Sequence, residues 1–474
     1  MGENKSIVAV STPPGSGGIA VIRVSGPDAL SLLSQLWKGK APEEFKSHSA
    51  HLGWVVDNES NDIDQVVATY YQAPNSYTGE DIIELSCHGS PWIQKAIVNR
   101  FIEVGATAAG AGEFTKRAFE NGRLDLAQAE GVADLIAASS KASARLAATQ
   151  LRGDFSRNLK NLRSKLIDIG SLLELELDFS EEDVEFADRS QLISLAREIL
   201  EVVSRMAESF RAGRAFKEGV PVAIAGIPNA GKSTLLNALI GEDKAIVSDI
   251  AGTTRDVIED TVEFSGMLFR FFDTAGLRDS DDKVESIGID RARQKISEAF
   301  LVLRLFDPSA DLKEQMEVLE KTSKESDSEN YCSNQNSVQL GNPRHEINVV
   351  TKQDEGETFK GEGWKELLEA SNTIKISAKT GKGLDELKTM IKDSVTEDFN
   401  PEREIIVTNA RHYEALLKAK APLERLIEGL ESGVSGDFLA QDLREAEHYL
   451  GEITGEVSST DILHTIFARY CIGK

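Results

Sequence analysis

The residues with the clearest chemical potential lie between Gly226 and Ser233, where the sequence reads G-I-P-N-A-G-K-S. This segment directly follows the apolar run Val222–Ala225, which is typical of a buried parallel strand. Glycines allow backbone N–H groups to turn towards phosphate oxygens, while Lys232 supplies positive charge and Ser233 offers a hydroxyl to Mg²⁺. The run Leu235–Ile240 continues as a helix whose N-terminus would point at the anion. The order strand, loop, helix therefore predicts a nucleotide-binding P-loop.

Two further segments fit the phosphate end of a GTP site. The D-T-A-G sequence at Asp273–Gly276 closes the predicted strand Leu268–Phe272. Its Asp can hold Mg²⁺ through water, and its last N–H can bond the γ-phosphate. Upstream, Gly252–Asp256 reads G-T-T-R-D, and within it Thr254 is predicted to ligate Mg²⁺ when the γ-phosphate is present.

A second pair of segments fits the guanine base. Thr351–Asp354 follows the predicted strand Ile347–Val350, and Ser377–Lys379 matches the last guanine-contact loop of GTPases. The Asp354 carboxylate can accept two N–H bonds from the guanine edge, a donor pair that adenine lacks, and Lys352 would lie along the base. GTPases usually carry Asn where this chain has Thr351, which puts one hydrogen bond near the base in doubt. The motifs in this order predict GTP rather than ATP as the nucleotide.

Hydrolysis needs a group that positions the attacking water. Ras-like enzymes use the Gln that follows D-x-x-G, but this chain has Leu277 there, which cannot orient water. The following stretch 279–290 is rich in acidic residues, and within it Glu285 is the predicted catalytic residue. The sequence identifies no arginine finger.

Composition limits the class of protein and its partners. The net charge of −25 is unfavourable for gripping nucleic acid over the whole surface, so any RNA contact should be local or shared with a more basic partner. The few and widely spaced cysteines, Cys87, Cys332 and Cys471, indicate a reducing compartment without a disulfide framework or a zinc site. No apolar stretch could span a bilayer, and no secretory leader is recognisable, so we expect a cytoplasmic protein.

Periodicity divides the chain into four predicted parts. Residues 1–120 alternate strand-like and helical runs, 121–216 and 396–474 are helical, and 217–395 alternate strands and helices as in a doubly wound sheet. The predicted fold is thus multidomain, α/β and α, with a nucleotide-binding domain inserted into a helical domain. The polar segment 321–345 is predicted to be a partly disordered surface insertion.

The sequence resembles the MnmE (TrmE) family of tRNA-modification GTPases over essentially its full length. The resemblance is carried by blocks outside the P-loop as well as by the P-loop with Asn229 and the segment Asp273–Arg278. These outer blocks are Thr12–Gly15, Pro74–Asp81, Gly112–Phe114, Leu124–Glu130 and the tail Cys471–Lys474.

For the N-terminal domain, the resemblance implies a fold similar to the folate-binding domains of one-carbon transferases, and a homodimer formed through it. The implied folate contacts are Arg23, Glu80 and Arg123, with Lys474 of the tail completing the pocket. Basic residues are suited to a ligand with a carboxylate-bearing glutamate tail.

For the GTPase (G) domain, the resemblance implies that K⁺ acts where other systems use an arginine finger, and that it promotes pairing of two G domains. Its ligands would be Asn229, Ser248, the carbonyl of Ile250, and Thr253. A monovalent cation there can offset charge that develops on the phosphates. With Mg²⁺ on Ser233 and Thr254, the predicted GTP-binding set is Asn229, Ala230, Gly231, Lys232, Ser233, Thr234, Ser248, Thr253, Thr254, Asp273, Thr274, Ala275, Gly276, Lys352, Asp354, Ser377 and Ala378.

The implied reaction is installation of an aminomethyl-type or carboxymethylaminomethyl group at C5 of the wobble uridine of certain tRNAs. The one-carbon unit would come from a tetrahydrofolate derivative, 5,10-methylene or 5-formyl. The implied partner is the flavoprotein MnmG (GidA), which would carry FAD and form a heterotetramer or a larger complex with this chain.

Three points stay open. Cys471 is either a catalytic thiolate or a small buried residue that places Lys474, and the second interpretation is favoured because no neighbouring His or Lys obviously lowers its pKa. The chain could instead be a ribosome-assembly GTPase that acts as an RNA-binding switch. It could also be a folate-dependent one-carbon transferase with a regulatory G domain.

Overall fold

The computed structural model describes residues 5–178, 189–242, 260–273, 296, 299–323, 345–356, 359–396, 405–457, 463, 466–468, 470 and 473. The chain forms two compact units. The first unit contains Met1–Ile136, Thr149–Ser171 and Arg444–Lys474, and the second contains Ala137–Ala148 and Leu172–Leu443. The four-part division at residues 120, 216 and 395 stays a prediction.

The N-terminal part of the first unit is a mostly antiparallel sheet of seven described strands in the order β3-β4-β5-β6-β2-β1-β7, in which β1 and β7 are parallel. The strands are β1 (Ile7–Val10), β2 (Gly17–Ser25), β3 (Trp37–Gly39), β4 (Ser49–Val56), β5 (Asp62–Tyr71), β6 (Ile82–Gly89) and β7 (Thr107–Ala108). Side chains alternate between the two faces, so that Ile22 and Val24 of β2 are buried while Ile19 is exposed.

Helices cover one face of this sheet. They are α1 (Ala29–Ser34) and α2 (Pro91–Glu103), with a 3₁₀ turn at Pro42–Glu44. The later helix α3 (Glu113–Glu120) packs its Phe114 against Ile7 and Ala9 of β1, which face away from the cluster that holds Val8, α1 and α2. Leu33 of α1 and Phe101 of α2 belong to the same buried cluster as Ile22 of the sheet. The core of this domain therefore lies between the sheet and α1 and α2.

Two segments, 126–218 and 410–454, form helices joined by short connections in their described residues, as predicted. Their helices are α4 (Leu126–Ala137), α5 (Lys141–Leu151), α6 (Asp154–Asp178), α7 (Arg189–Glu208), α8 (Phe210–Glu218), and, later in the chain, α13 (Ala410–Ser432) and α14 (Gly436–Thr454). The predicted apolar stripe of α6 is confirmed, because Leu159, Leu162, Leu166, Ile169 and Leu173 are all buried. None of the described helices meets the length and hydropathy that crossing a membrane requires.

The second unit contains a six-stranded sheet of described strands in the order β13-β12-β11-β8-β10-β9, parallel except for the edge strand β9. Its elements in chain order are β8 (Val220–Gly226), α9 (Lys232–Glu242), β9 (Asp260–Phe264), β10 (Met267–Asp273), β11 (Leu301–Phe306), α10 (Leu312–Ser323), β12 (His345–Val350), α11 (Trp364–Glu369), β13 (Thr373–Lys375) and α12 (Leu384–Thr396). Within the predicted insertion 321–345, residues 324–344 lie outside the described residues.

Both faces of this sheet are covered, which confirms the doubly wound prediction. Val222 and Ile224 of β8 pack in one buried cluster that includes Leu387 of α12. The alternate residues Ala223 and Ala225 pack in a second cluster with Leu312 of α10. Because β8 has parallel neighbours on both sides, β10 and β11, the chain changes winding direction at β8. Ligands of open α/β sheets bind at such a switch point, beyond the carboxyl ends of the strands.

Candidate functional site

The P-loop occupies that switch point. β8 ends at Gly226 and α9 begins at Lys232, so the intervening loop lies at the carboxyl edge of the sheet. Gly226 is required by close packing, since a Cβ there would lie 2.9 Å from the Leu305 carbonyl oxygen. Asn229 and Gly231 have left-handed backbone conformations, with φ of 63° and 96°. This local geometry fits a loop that turns its N–H groups towards an anion.

The loop lysine is held inside the loop. Lys232 is 7% exposed, and its Nζ donates to the carbonyl oxygens of Gly226 at 2.8 Å and Ile227 at 3.0 Å. Ser233 and Thr234 are exposed on the first turn of α9. The predicted loop residues thus form one cradle, in which an ammonium group and a helix N-terminus converge.

Asp354, the carboxylate predicted to read guanine, lies in the second predicted loop pair. Ser377 is buried and its Oγ donates to Asp354 Oδ1 at 2.6 Å, while the Gln353 N–H donates to the Ile376 carbonyl oxygen at 3.2 Å. The hydrogen bond from Ser377, together with a backbone N–H, lowers the pKa of Asp354 below its usual value. Asp354 is therefore an ionised, exposed acceptor at neutral pH, as two N–H donors of guanine require.

Lys352 is fixed by a partner that the sequence did not reveal. Its Nζ lies 2.7 Å from Oδ2 of Asp307, which follows β11 and is 5% exposed. Burial alone would raise the pKa of Asp307, but hydrogen bonds from Lys352 and Ser309 outweigh it and hold the pKa low. The ion pair limits the orientations of the lysine stem, which is predicted to lie along the base.

Thr351 connects the base-reading loop to the P-loop. It is 3% exposed, and its hydroxyl shares its one hydrogen between the carbonyl oxygen of Ala230, 2.9 Å from Oγ1, and that of Phe306, 3.2 Å from Oγ1. With Thr in place of Asn at this position, the Thr351–Ala230 hydrogen bond joins the two loops directly. No motif in the sequence indicated this partner, which is 121 residues away.

Most of the remaining predicted residues of the GTP site lie outside the described residues, whereas Asp273 and Ala378 lie within them. Asp273 is the last residue of β10 and pairs with Ile224 of β8, which puts its backbone beside the P-loop strand. The others lie outside the described residues: Ser248, Ile250, Thr253, Thr254, Thr274, Ala275, Gly276, Leu277 and Glu285.

A second polar site lies in the N-terminal domain, around Glu80. The Glu80 carboxylate accepts from Ser25 Oγ at 2.8 Å and from Arg117 Nη1 at 3.1 Å, and it is mostly buried. Arg117 also donates through Nη2 to Glu113 and to the Lys5 carbonyl oxygen, both at 3.0 Å. Sequence reasoning missed Arg117. Its spacing of four residues from Glu113 signals a helical ion pair, but nothing signals the contact with Glu80.

Two of the other predicted folate contacts, Arg23 and Arg123, lie in the same domain. Arg23 pairs with Glu84 at 2.7 Å, and its guanidinium carbon lies 5.2 Å from the centre of the Tyr77 ring. Arg123 is exposed, and its stem packs against Gly79, the residue before Glu80.

Part of the C-terminal tail lies beside the same domain. Ser11 Oγ, just after β1, donates to the Gly473 carbonyl oxygen at 3.0 Å. Lys474 and Cys471 lie outside the described residues, as does Cys332. Cys87 is buried, and burial raises the pKa of its thiol to about 11, so it is not a nucleophile at neutral pH.

Comparison with known proteins covers nearly the whole chain. Residues 6–123 match the family model "GTP-binding protein TrmE N-terminus", and residues 126–471 match the model "MnmE helical domain". The tRNA modification GTPase MnmE of Christiangramia forsetii is 46% identical over 99% of both chains, and that of Bacteroides thetaiotaomicron is 48% identical over 99% of both. Among solved structures, the G domain of the T. maritima FeoB iron transporter aligns with 37% of this chain, at 23% identity and a TM-score of 0.25.

Proposed function

Because the chain belongs to the MnmE (TrmE) family of tRNA modification GTPases, we propose that it uses GTP hydrolysis to drive modification of C5 of the wobble uridine in certain tRNAs. The product would be an aminomethyl-type or carboxymethylaminomethyl uridine. The observation that carries the proposal is the Thr351–Ala230 hydrogen bond, which joins a guanine-reading loop to a P-loop in a chain with this family's N-terminal and helical segments.

Each side chain of the proposed GTP site has a separate role. The loop N–H groups and Lys232 would neutralise charge on the phosphates, and Asp354 would select guanine over adenine. The exposed hydroxyl of Ser233 would hold Mg²⁺ together with Thr254, and Mg²⁺ would supply charge compensation at the phosphates. Glu285 is proposed to orient the attacking water, because Leu277 has no hydrogen-bonding group.

K⁺ is proposed to take the place of an arginine finger. The exposed, left-handed Asn229 at the loop tip supports this, because its side chain is not engaged in the core. Ser248, Ile250 and Thr253 are the other proposed ligands. GTP turnover should be many times faster in KCl than in NaCl at equal ionic strength, because Na⁺ is too small for a site built for K⁺. Equal rates in the two salts would contradict the K⁺ role.

The Glu80 cluster is proposed as the folate site. A buried carboxylate that is held by Ser25 and Arg117 is suited to N–H donors of a pterin ring, and Arg23 and Arg123 offer cations to the carboxylates of the ligand. Lys474 is proposed to complete the pocket, and the position of Gly473 next to Ser11 supports this. The bound tetrahydrofolate derivative would supply the one-carbon unit.

A homodimer is proposed to form through the open face of the N-terminal sheet. Leu52 of β4 lies opposite Val67 of β5, and both are exposed, as are Trp54 of β4 and Ile19 of β2. A second copy would remove this apolar row from water. The flavoprotein MnmG is proposed as the further partner that carries FAD, and a cytoplasmic location follows from the tRNA substrate.

Nucleoside analysis of tRNA tests the proposal as a whole. Cells that lack the protein should contain wobble uridine without the C5 group, and expression of the wild-type chain should restore it. Expression of Lys232→Ala should not restore it, because the phosphates lose their cation. Unchanged modification in the deletion strain would contradict the proposed function.

A further inference from the structure

A basic stretch interrupts this strongly acidic chain in the helical region. Residues 141–165 contain seven basic residues and one acidic residue, Asp154, although the whole chain has a net charge of −25. Three of the basic residues, Arg152, Arg157 and Lys160, lie in the first unit and are exposed. They follow one another from the turn before α6 into its second turn.

The turn that presents these side chains is well fixed. Gln128 Nε2 donates to the Leu151 carbonyl oxygen at 3.0 Å. Gly153 has a left-handed backbone with φ of 80°, and a Cβ at this position would lie only 2.9 Å from the same Gln128 nitrogen. Arg157 Nη1 donates to the Arg152 carbonyl oxygen at 3.2 Å, and Arg157 also pairs with Asp154. These contacts hold the backbone of the turn in place. The side chain of Arg152 is nevertheless 70% exposed.

The exposed side chains around this corner are all polar. Between residues 152 and 165 they are Arg152, Arg157, Asn158, Lys160, Asn161 and Ser164. The apolar residues of the same stretch, such as Leu159 and Leu162, are buried. Ile167, 49% exposed and one turn beyond Ser164, is the first exposed apolar side chain of α6, so the corner from residue 152 to 165 itself presents no apolar anchor of the kind a protein hot spot or a membrane-binding helix needs. Cationic groups mixed with amide and hydroxyl donors are the set that contacts a nucleic acid backbone.

We infer that the face of Arg152, Arg157, Lys160, Asn161 and Ser164, here called the α6 basic face, binds the phosphate backbone of tRNA. The inference rests on the proposed tRNA modification and adds a location on this chain to it. Locally concentrated positive charge allows an acidic protein to hold RNA at one place while the rest of its surface repels it. Phosphate contacts carry no sequence information, so this face orients tRNA without choosing among tRNAs.

The test is the salt dependence of tRNA binding by the full-length chain. Arg152→Gln/Lys160→Gln should weaken binding about tenfold at about 0.1 M KCl and flatten the plot of log affinity against log salt by about 1.4 to 1.8, because two phosphate contacts are lost. The loss should be equal for tRNAs with different anticodons. GTP turnover should stay at the wild-type rate, and unchanged hydrogen exchange of the α6 amides shows that the first unit of the variant is folded.

Two further variants control for unspecific charge effects. Lys46→Gln/Lys95→Gln removes two exposed charges elsewhere in the first unit and should leave the slope unchanged. Arg152→Lys/Lys160→Arg keeps both charges and should restore wild-type binding.

The outcomes separate this inference from the proposed function. A wild-type slope in Arg152→Gln/Lys160→Gln, or no tRNA binding by the wild-type chain at low salt, overturns the α6 basic face. Neither result contradicts the proposed function, which is tested independently by nucleoside analysis of tRNA from the deletion strain.

Discussion

Replacement of Asp354 by Asn should change the preferred nucleotide from GTP to xanthosine triphosphate. The carboxylate is proposed to accept two N–H bonds from guanine, whereas an amide offers one acceptor and one donor, which matches the N–H and the C2 carbonyl of xanthine. Loss of one charge-assisted hydrogen bond, weakening of the other and an unsatisfied N–H donor of guanine should together cost at least about 3 kcal/mol. That corresponds to a loss of GTP affinity of about a hundredfold or more. Turnover as a function of GTP and of xanthosine triphosphate concentration measures the change.

Two neighbouring variants make this experiment specific. Ser377→Ala removes the hydroxyl that holds Asp354 in place, so it should weaken both nucleotides moderately without reversing the preference. Thr351→Ser keeps the hydroxyl that bonds to Ala230 and should behave as the wild type. If Asp354→Asn still prefers GTP as strongly as the wild type, Asp354 does not read the base.

Local patterns predicted the strand, the loop and the helix around Lys232. The strand, loop and helix around Lys232 are contiguous in sequence, so glycine positions, apolar runs and helix periodicity were sufficient to place them. The doubly wound sheet followed in the same way from alternating elements. Apolar spacing likewise predicted the buried stripe of α6.

Partners that lie far apart in the chain could not be predicted. The contact of Lys352 with Asp307 spans 45 residues, and the contact of Arg117 with Glu80 spans 37. Such pairs depend on how strands are ordered in a sheet, which a single sequence does not encode as a local signal. Each pair nevertheless contains one residue that the sequence had identified, Lys352 or Glu80. The second residue lies beside it because a buried charge needs a partner.

Arg117→Met should destabilise the N-terminal domain strongly. Arg117 and Glu80 are each only 11% exposed, and the variant removes the guanidinium that pairs with the carboxylates of Glu80 and Glu113. Removing one partner of a buried ion pair costs about 3 to 5 kcal/mol. The chain has two compact units and therefore no single unfolding free energy, so the amides of β1 and β2 should be followed by hydrogen exchange. Their exchange should become at least about a hundredfold faster.

The adjacent residue of α3 provides the matched control. Lys116 pairs with Glu120 on the exposed side of the helix, where both side chains are about half exposed. Lys116→Met should therefore change exchange little, because exposed ion pairs contribute about 0 to 1 kcal/mol. The triple variant Arg117→Met/Glu80→Gln/Glu113→Gln should recover much of the protection, since it removes the two negative charges together with the arginine. Equal exchange in Arg117→Met and Lys116→Met would show that the buried carboxylates are held by other groups, and Arg117 would then have no special part in the Glu80 site.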